Sequence, residues 1–156
     1  MKSIYEFLLK NKTEKHIPVY QYSPKTRREL KTTIEQLLDG GITDLNCIDV
    51  SAVTEMDELF SGLHPEEIDI SEWDMSRVSN TYSMFWGCSK MTCDIENWDV
   101  SAITDMRFMF GACRKFCCDL SAWNISPNAK MDYAFDDCTT LRDNGMIPSW
   151  FHGIIQ

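Results

Sequence analysis

Cysteines are the first residues here that could do chemistry, and the spacing of all seven decides which. Cys88, Cys113 and Cys138 stand 25 residues apart, and Cys93 and Cys118 keep that interval in a second register. Leu63 and Ile68 fill the same two registers one interval earlier, so sulfur stands where an aliphatic side chain also serves. Zinc asks for paired C-x-x-C elements, and Cys113-x-x-x-Cys117-Cys118 is no ligand spacing. If repeats stack at about 5 Å, same-register cysteines fall within disulfide reach. The favoured reading is reduced thiols acting as small core hydrophobes.

Carboxylates form two further series. Asp49, Asp74 and Asp99 are followed by Asn124, and Asp69, Asp94 and Asp119 by Asn144, at the same interval. Stacked carboxylates can hold calcium, but that ion wants six to eight oxygens. The glycine-rich turn that would crowd them together is missing. Exchange of Asp for Asn suits side chains that bond nearby backbone amides in turns, which is the favoured reading. His16, His64 and His152 share no register and neighbour no candidate nucleophile. There is no G-x-S-x-G, phosphate-cradling glycine loop or H-E-x-x-H. The sequence therefore predicts no catalytic residue, no metal, no cofactor and no enzyme.

The elements that position these residues repeat every 25 positions. Phe60, Phe85, Phe110 and Phe135 keep that period, as do Trp73, Trp98 and Trp123. Within one unit the alternation Trp98-Asp99-Val100 predicts a short strand. Ile103, Met106, Met109 and Phe110 then step by three, three and one, which predicts a short helix. Ser101 or Thr104 would cap it, and Gly62 and Gly87 read as helix stops. No unit can bury its aromatics alone, and stacked units can. The predicted fold is thus an α/β solenoid, a leucine-rich-repeat-like stack of about four 25-residue strand-turn-short-helix coils.

The run Trp98-Asp99-Val100-Ser101-x-Ile103-Thr104-Asp105-Met106-x-x-Met109-Phe110 resembles the repeat of the BspA-like leucine-rich-repeat surface proteins. The resemblance spans residues 44–145 and implies adhesion and protein binding. Residues 1–43 read as an N-terminal capping segment. It holds a helix at Met1–Lys10, an edge strand at Ile17–Tyr20, and a helix over Thr26–Asp39 with Ser23-Pro24 at its start and Gly40-Gly41 at its end. Residues 146–156 read as a C-terminal cap that covers the last coil.

Met1–Lys10 carries Glu6 inside its short apolar run and no cleavage site follows, so a cytoplasmic protein is expected. Residues 1–40 hold eight Lys/Arg and five Asp/Glu, net +3, whereas residues 41–156 hold seven and nineteen, net −12. An acidic body disfavours nucleic acid and anionic membranes as partners and favours basic proteins. Candidate contacts are the aromatics that break the pattern, Tyr82, Trp86 and Phe108. With them go the polar residues of the strand face, Glu72, Asp74, Glu96, Asn97, Asp99 and Asn124. The leading expectation is a non-enzymatic protein–protein interaction module. The alternative is an acidic nucleic-acid mimic that inhibits a bacterial nucleic-acid-processing or defence enzyme, of a kind a mobile element would encode. A third is a structural metal binder built on the Asp series.

Overall fold

A computed structural model describes residues 19–156. Parallel bridges join Asp44 to Asp69, Glu67 to Thr92, Glu55 to Asn80, Asn80 to Asp105 and Asp105 to Lys130, so each sequence repeat is one coil laid on the next. Every bridge is isolated, and none extends into a strand or sheet among the described residues. The helices are α1 (Arg27–Asp39) and the five-residue α2 (Thr139–Asp143). The expected α/β solenoid of strand-turn-short-helix coils is therefore overturned. Between α1 and α2 the described chain is turns and irregular backbone.

Backbone conformation explains both misreadings. In the stretch predicted as a helix, Met109, Gly111 and Cys113 donate their N–H groups three residues back, to Met106, Phe108 and Phe110. The residues between them donate outward to the next coil: Met106 to Lys130, Phe108 to Asp132, Phe110 to Ala134 and Ala112 to Asp136. An N–H spent on a neighbouring coil cannot close a helical turn. Two left-handed residues also interrupt any helix in this coil, Phe108 at φ 57° and Ala112 at φ 59°. Glu58, Ser83 and Tyr133 occupy the first of these slots in the other coils, and Gly62, Gly87 and Asp137 the second. A left-handed third residue is what a type II turn requires, so the three-residue spacing comes from consecutive turns. Trp98-Asp99-Val100 is hemmed in likewise, by turns closing Trp98 to Ile95 and Ile103 to Val100.

Three ladders run through the core along the stack. Phe60, Phe85, Phe110 and Phe135 stack with centroids 5.1, 5.5 and 5.5 Å apart. Trp73, Trp98 and Trp123 each donate Nε1–H at 3.0 Å to a carbonyl of the preceding coil, those of Leu45, Ile70 and Ile95. Cys88, Cys113 and Cys138 direct Sγ to the carbonyls of Phe60, Phe85 and Phe110 at 3.5, 3.0 and 2.8 Å.

Unlike pieces cover the two ends. Helix α1 is capped by Thr26, whose side chain accepts the Glu29 N–H, rather than by Ser23, and it buries Leu30, Ile34 and Leu37. Its Arg27 and Lys31 donate to the carbonyls of Asp57 and Ser61. In later coils the equivalent carbonyls accept N–H groups from the coil before, as Tyr82 does from Glu58 and Gly111 from Gly87. Cationic side chains thus replace a missing coil. At the far end Trp150 stacks on Trp123 at 6.2 Å and donates to the Leu120 carbonyl, extending the tryptophan ladder. Tyr22 bridges Ile48 ahead of the first coil. The helix read at Met1–Lys10, His16 and the Ile17-Pro18 half of the edge strand lie outside the described residues.

Candidate functional site

Phe85 and Trp98, half a coil apart in sequence, meet in the core at 6.4 Å, as Phe60 and Trp73 do at 5.9 Å. Each coil therefore has two walls, one backed by the phenylalanines and one by the tryptophans. Residues flanking the inward rings point to opposite sides. The candidate contacts are split accordingly: Tyr82, Trp86 and Phe108 belong to the phenylalanine wall, and Glu72, Asp74, Asn97, Asp99 and Asn124 to the tryptophan wall. The strand face with adjacent aromatics, expected as one surface, is two.

On the phenylalanine wall Tyr82 meets Phe108 edge-on at 5.9 Å, and Phe108 stacks on Tyr133 at 5.0 Å. Phe108 and Tyr133 both sit on left-handed backbone, where a bulky side chain is uncommon. The Arg107 guanidinium lies 5.4 Å from the Tyr82 ring centroid and grips Asp105 through Nε at 3.0 Å and Nη2 at 2.7 Å. Burial works against the Asp105 carboxylate, but the Arg107 hydrogen bonds and charge outweigh it and hold the carboxyl below its usual range. Trp86 is 51% exposed beside this row. A Cβ on Gly111 would come within 2.8 Å of Trp86 Cδ1, so the missing side chain lets the indole lie on the next coil. Tyr133 was not singled out from the sequence, although it shares the register of Phe108.

On the tryptophan wall the carboxylates make turns. Asp49, Asp74 and Asp99 each accept the backbone N–H of the serine two residues on at 3.1 Å, and its hydroxyl at 2.6 Å. The Ser51 and Ser101 hydroxyls hold the Asp49 and Asp99 carboxyls below their usual range. Asn124 makes no such bond. Tyr20 lies beside this wall, its phenol pushed up by burial and then by the charges of Asp49, Asp74 and Glu72. In the second series Asp69 and Asp119 accept from Ser71 and Ser121, and Asp94 from the Glu96 N–H.

That second series lines a groove of about 620 Å³, which takes Asp44, Asp69, Asp94 and Asp119 one per coil, with Glu67 and Glu96 beside them. Glu96 thus belongs to the groove. Periodicity revealed the carboxylates but not the concavity. Cys93 and Cys118 also line it. No group of three or more His, Cys, Asp or Glu able to hold a metal occurs among the described residues. All seven thiols are free, and burial pushes those of Cys88 and Cys138 up to about 12. His64 and His152 each set Nδ1 3.2 Å from a backbone carbonyl, of Gly87 and Trp150. No helix among the described residues is long and apolar enough to cross a membrane.

A family model described as Mycoplasma protein of unknown function, DUF285, matches residues 29–150. No curated protein and no solved structure matches the chain.

Proposed function

The chain belongs to the DUF285 family, whose description assigns no activity, and from the geometry we propose a non-enzymatic module that binds a partner protein through the phenylalanine wall. Trp86 carries this reading. Among the described residues it is the only large apolar side chain exposed along the middle of the stack, where the other coils have Ser61, Gly111 and Asp136. Stacked coils hold it in place, so binding would cost little ordering entropy, and indoles are frequent interface anchors. Tyr82, Phe108 and Tyr133 continue the apolar strip, and Arg107 adds a charged edge. Protein binding is also what the likeness to BspA-like repeats implies. Reduced thiols suit a cytoplasmic setting.

The test is capture of partners from bacterial lysate by the immobilised full chain at moderate salt, read by mass spectrometry. A specific protein should be retained, and Trp86→Ala should weaken its binding by about thirtyfold or more, in line with a hot-spot residue. The variant's melting temperature should stay unchanged. Capture that survives Trp86→Ala sinks the aromatic-wall reading.

The groove favours a second reading, in which regularly placed carboxylates imitate nucleic-acid charge toward a basic enzyme. Binding of that kind falls steeply as salt screens it. Retention of a nucleic-acid-processing enzyme at low salt, lost at moderate salt and indifferent to Trp86→Ala, would move the assignment there.

A further inference from the structure

Two thiols line the acidic groove from neighbouring coils. Cys93 and Cys118 stand 25 residues apart, in one register. The coils that carry them are pinned on both sides of the pair. Ahead of it Lys115 donates its N–H to the Ser89 carbonyl, and past it Trp123 donates Nε1–H to the Ile95 carbonyl at 3.0 Å. The bridge from Asn80 to Asp105 joins the same two coils. Backbones paired in this way lie about 5 Å apart, inside the Cα separation of about 4.4–6.8 Å that a disulfide spans. Access separates this pair from the other sulfur ladder. Cys88, Cys113 and Cys138 also share a register, but they are at most 1% exposed and direct Sγ to carbonyls. Cys118 is 8% exposed and Cys93 more so. Burial pushes the Cys118 thiol up, and the Ile95 N–H works against that by bonding its thiolate.

We propose that Cys93 and Cys118 form a redox-operated clamp between their two coils, closed by a hydroperoxide and opened by a dithiol. The Cys118 thiolate attacks the peroxide oxygen, the O–O bond breaks, and a sulfenic acid forms as water or an alcohol leaves. Cys93 then attacks that sulfur, the S–O bond breaks, and the hydroxyl leaves as water with the Cys93 proton. Two thiols are oxidised and one hydroperoxide is reduced; hydrogen peroxide leaves as two waters. A dithiol reverses the step by exchange through a mixed disulfide. Asp94 and Asp119 directly follow the two cysteines, so the closed clamp fixes the spacing of two groove carboxylates. It uses no residue of the phenylalanine wall.

Hydrogen peroxide added to the reduced, folded full chain tests this, read by tryptic digestion without reduction and mass spectrometry. Cys117 is exposed and shares a tryptic peptide with Cys118, so Cys117→Ser is treated beside the wild type. In both, the peptide holding Cys93 should be joined to the one holding Cys118 within a single chain. Closing an interval of this length should raise the melting temperature by about 10 °C, and dithiothreitol should take the rise away. Cys93→Ser should lose the cross-link and the rise while keeping the circular dichroism of the wild type. Cys93 and Cys118 left as thiols while Cys117 oxidises overturns the proposal. So does a cross-link that Cys117→Ser abolishes, which would make Cys117 the partner, or one that joins two chains.

Discussion

Cys88, Cys113 and Cys138 spend their thiol protons on carbonyls of the coil before, and burial makes those protons hard to remove. A thiol is nucleophilic as its thiolate, so these three should resist maleimide in the folded protein while the exposed Cys117 reacts at once. Labelling counted by mass spectrometry checks it, and early modification of the ladder thiols would mean the coils open readily. The raised values also set a pH dependence. Unfolded thiols ionise near about 8.5. Folded Cys88 and Cys138 keep their protons until about 12. Through that window the native state binds more protons than the unfolded state, so stability falls as pH rises. Cys88→Ala should make the loss of melting temperature between pH 8 and pH 10.5 shallower than in the wild type. Equal slopes would show that other groups set the alkaline limit.

Within the coil, turns do the work that the sequence assigned to a strand and a helix. The 25-residue period and the Phe and Trp ladders were legible because they follow from residue type alone. Secondary structure was not, because two successive turns and one short helix place apolar side chains at the same three-residue steps. What separates them is the sign of φ at Glu58, Ser83, Phe108 and Tyr133, and those residue types do not announce it. Only Gly62 and Gly87 did, and they fit a helix stop equally well. Glu58 gives the clean test: it is exposed at φ 53°, and its contact with Lys31 runs through its carbonyl. Glycine tolerates that conformation, so Glu58→Gly should stabilise the fold by about 1 kcal/mol, measured by urea unfolding. The same change inside a true helix would destabilise by about as much. Trp98→Phe should instead cost about 1–3 kcal/mol, because the Ile70 carbonyl loses its donor in a buried place.

At the scale of the whole molecule, the stack sets charge against itself. One carboxylate per coil recurs along the groove and another along the tryptophan wall, on a chain of net charge −9. The sequence displayed the Asp49, Asp74 and Asp99 series and the odd residue Trp86, but not that they belong to different walls of the coil. Residue spacing says which side chains share a register, whereas the ring contacts between Phe85 and Trp98 say which registers face each other. Aligned carboxylates on neighbouring coils repel one another, and water and salt screen that repulsion. The exposed ion pairs Lys90–Glu66 and Arg114–Asp137 return little against this. Added salt should therefore stabilise the fold, raising its melting temperature as sodium chloride goes from low millimolar to the range where the screening length falls below about 10 Å. Asp74→Asn tests the cause, because it removes the charge between Asp49 and Asp99 and keeps an oxygen within reach of Ser76, although Asn124 accepts no bond from Ser126 in the same register. That variant should be more stable than the wild type by about 0.5 kcal/mol at low salt, and the gain should vanish at high salt. A gain that persists in high salt would place the effect in the turn, and a loss at both would show that the Ser76 hydroxyl needs the full carboxylate.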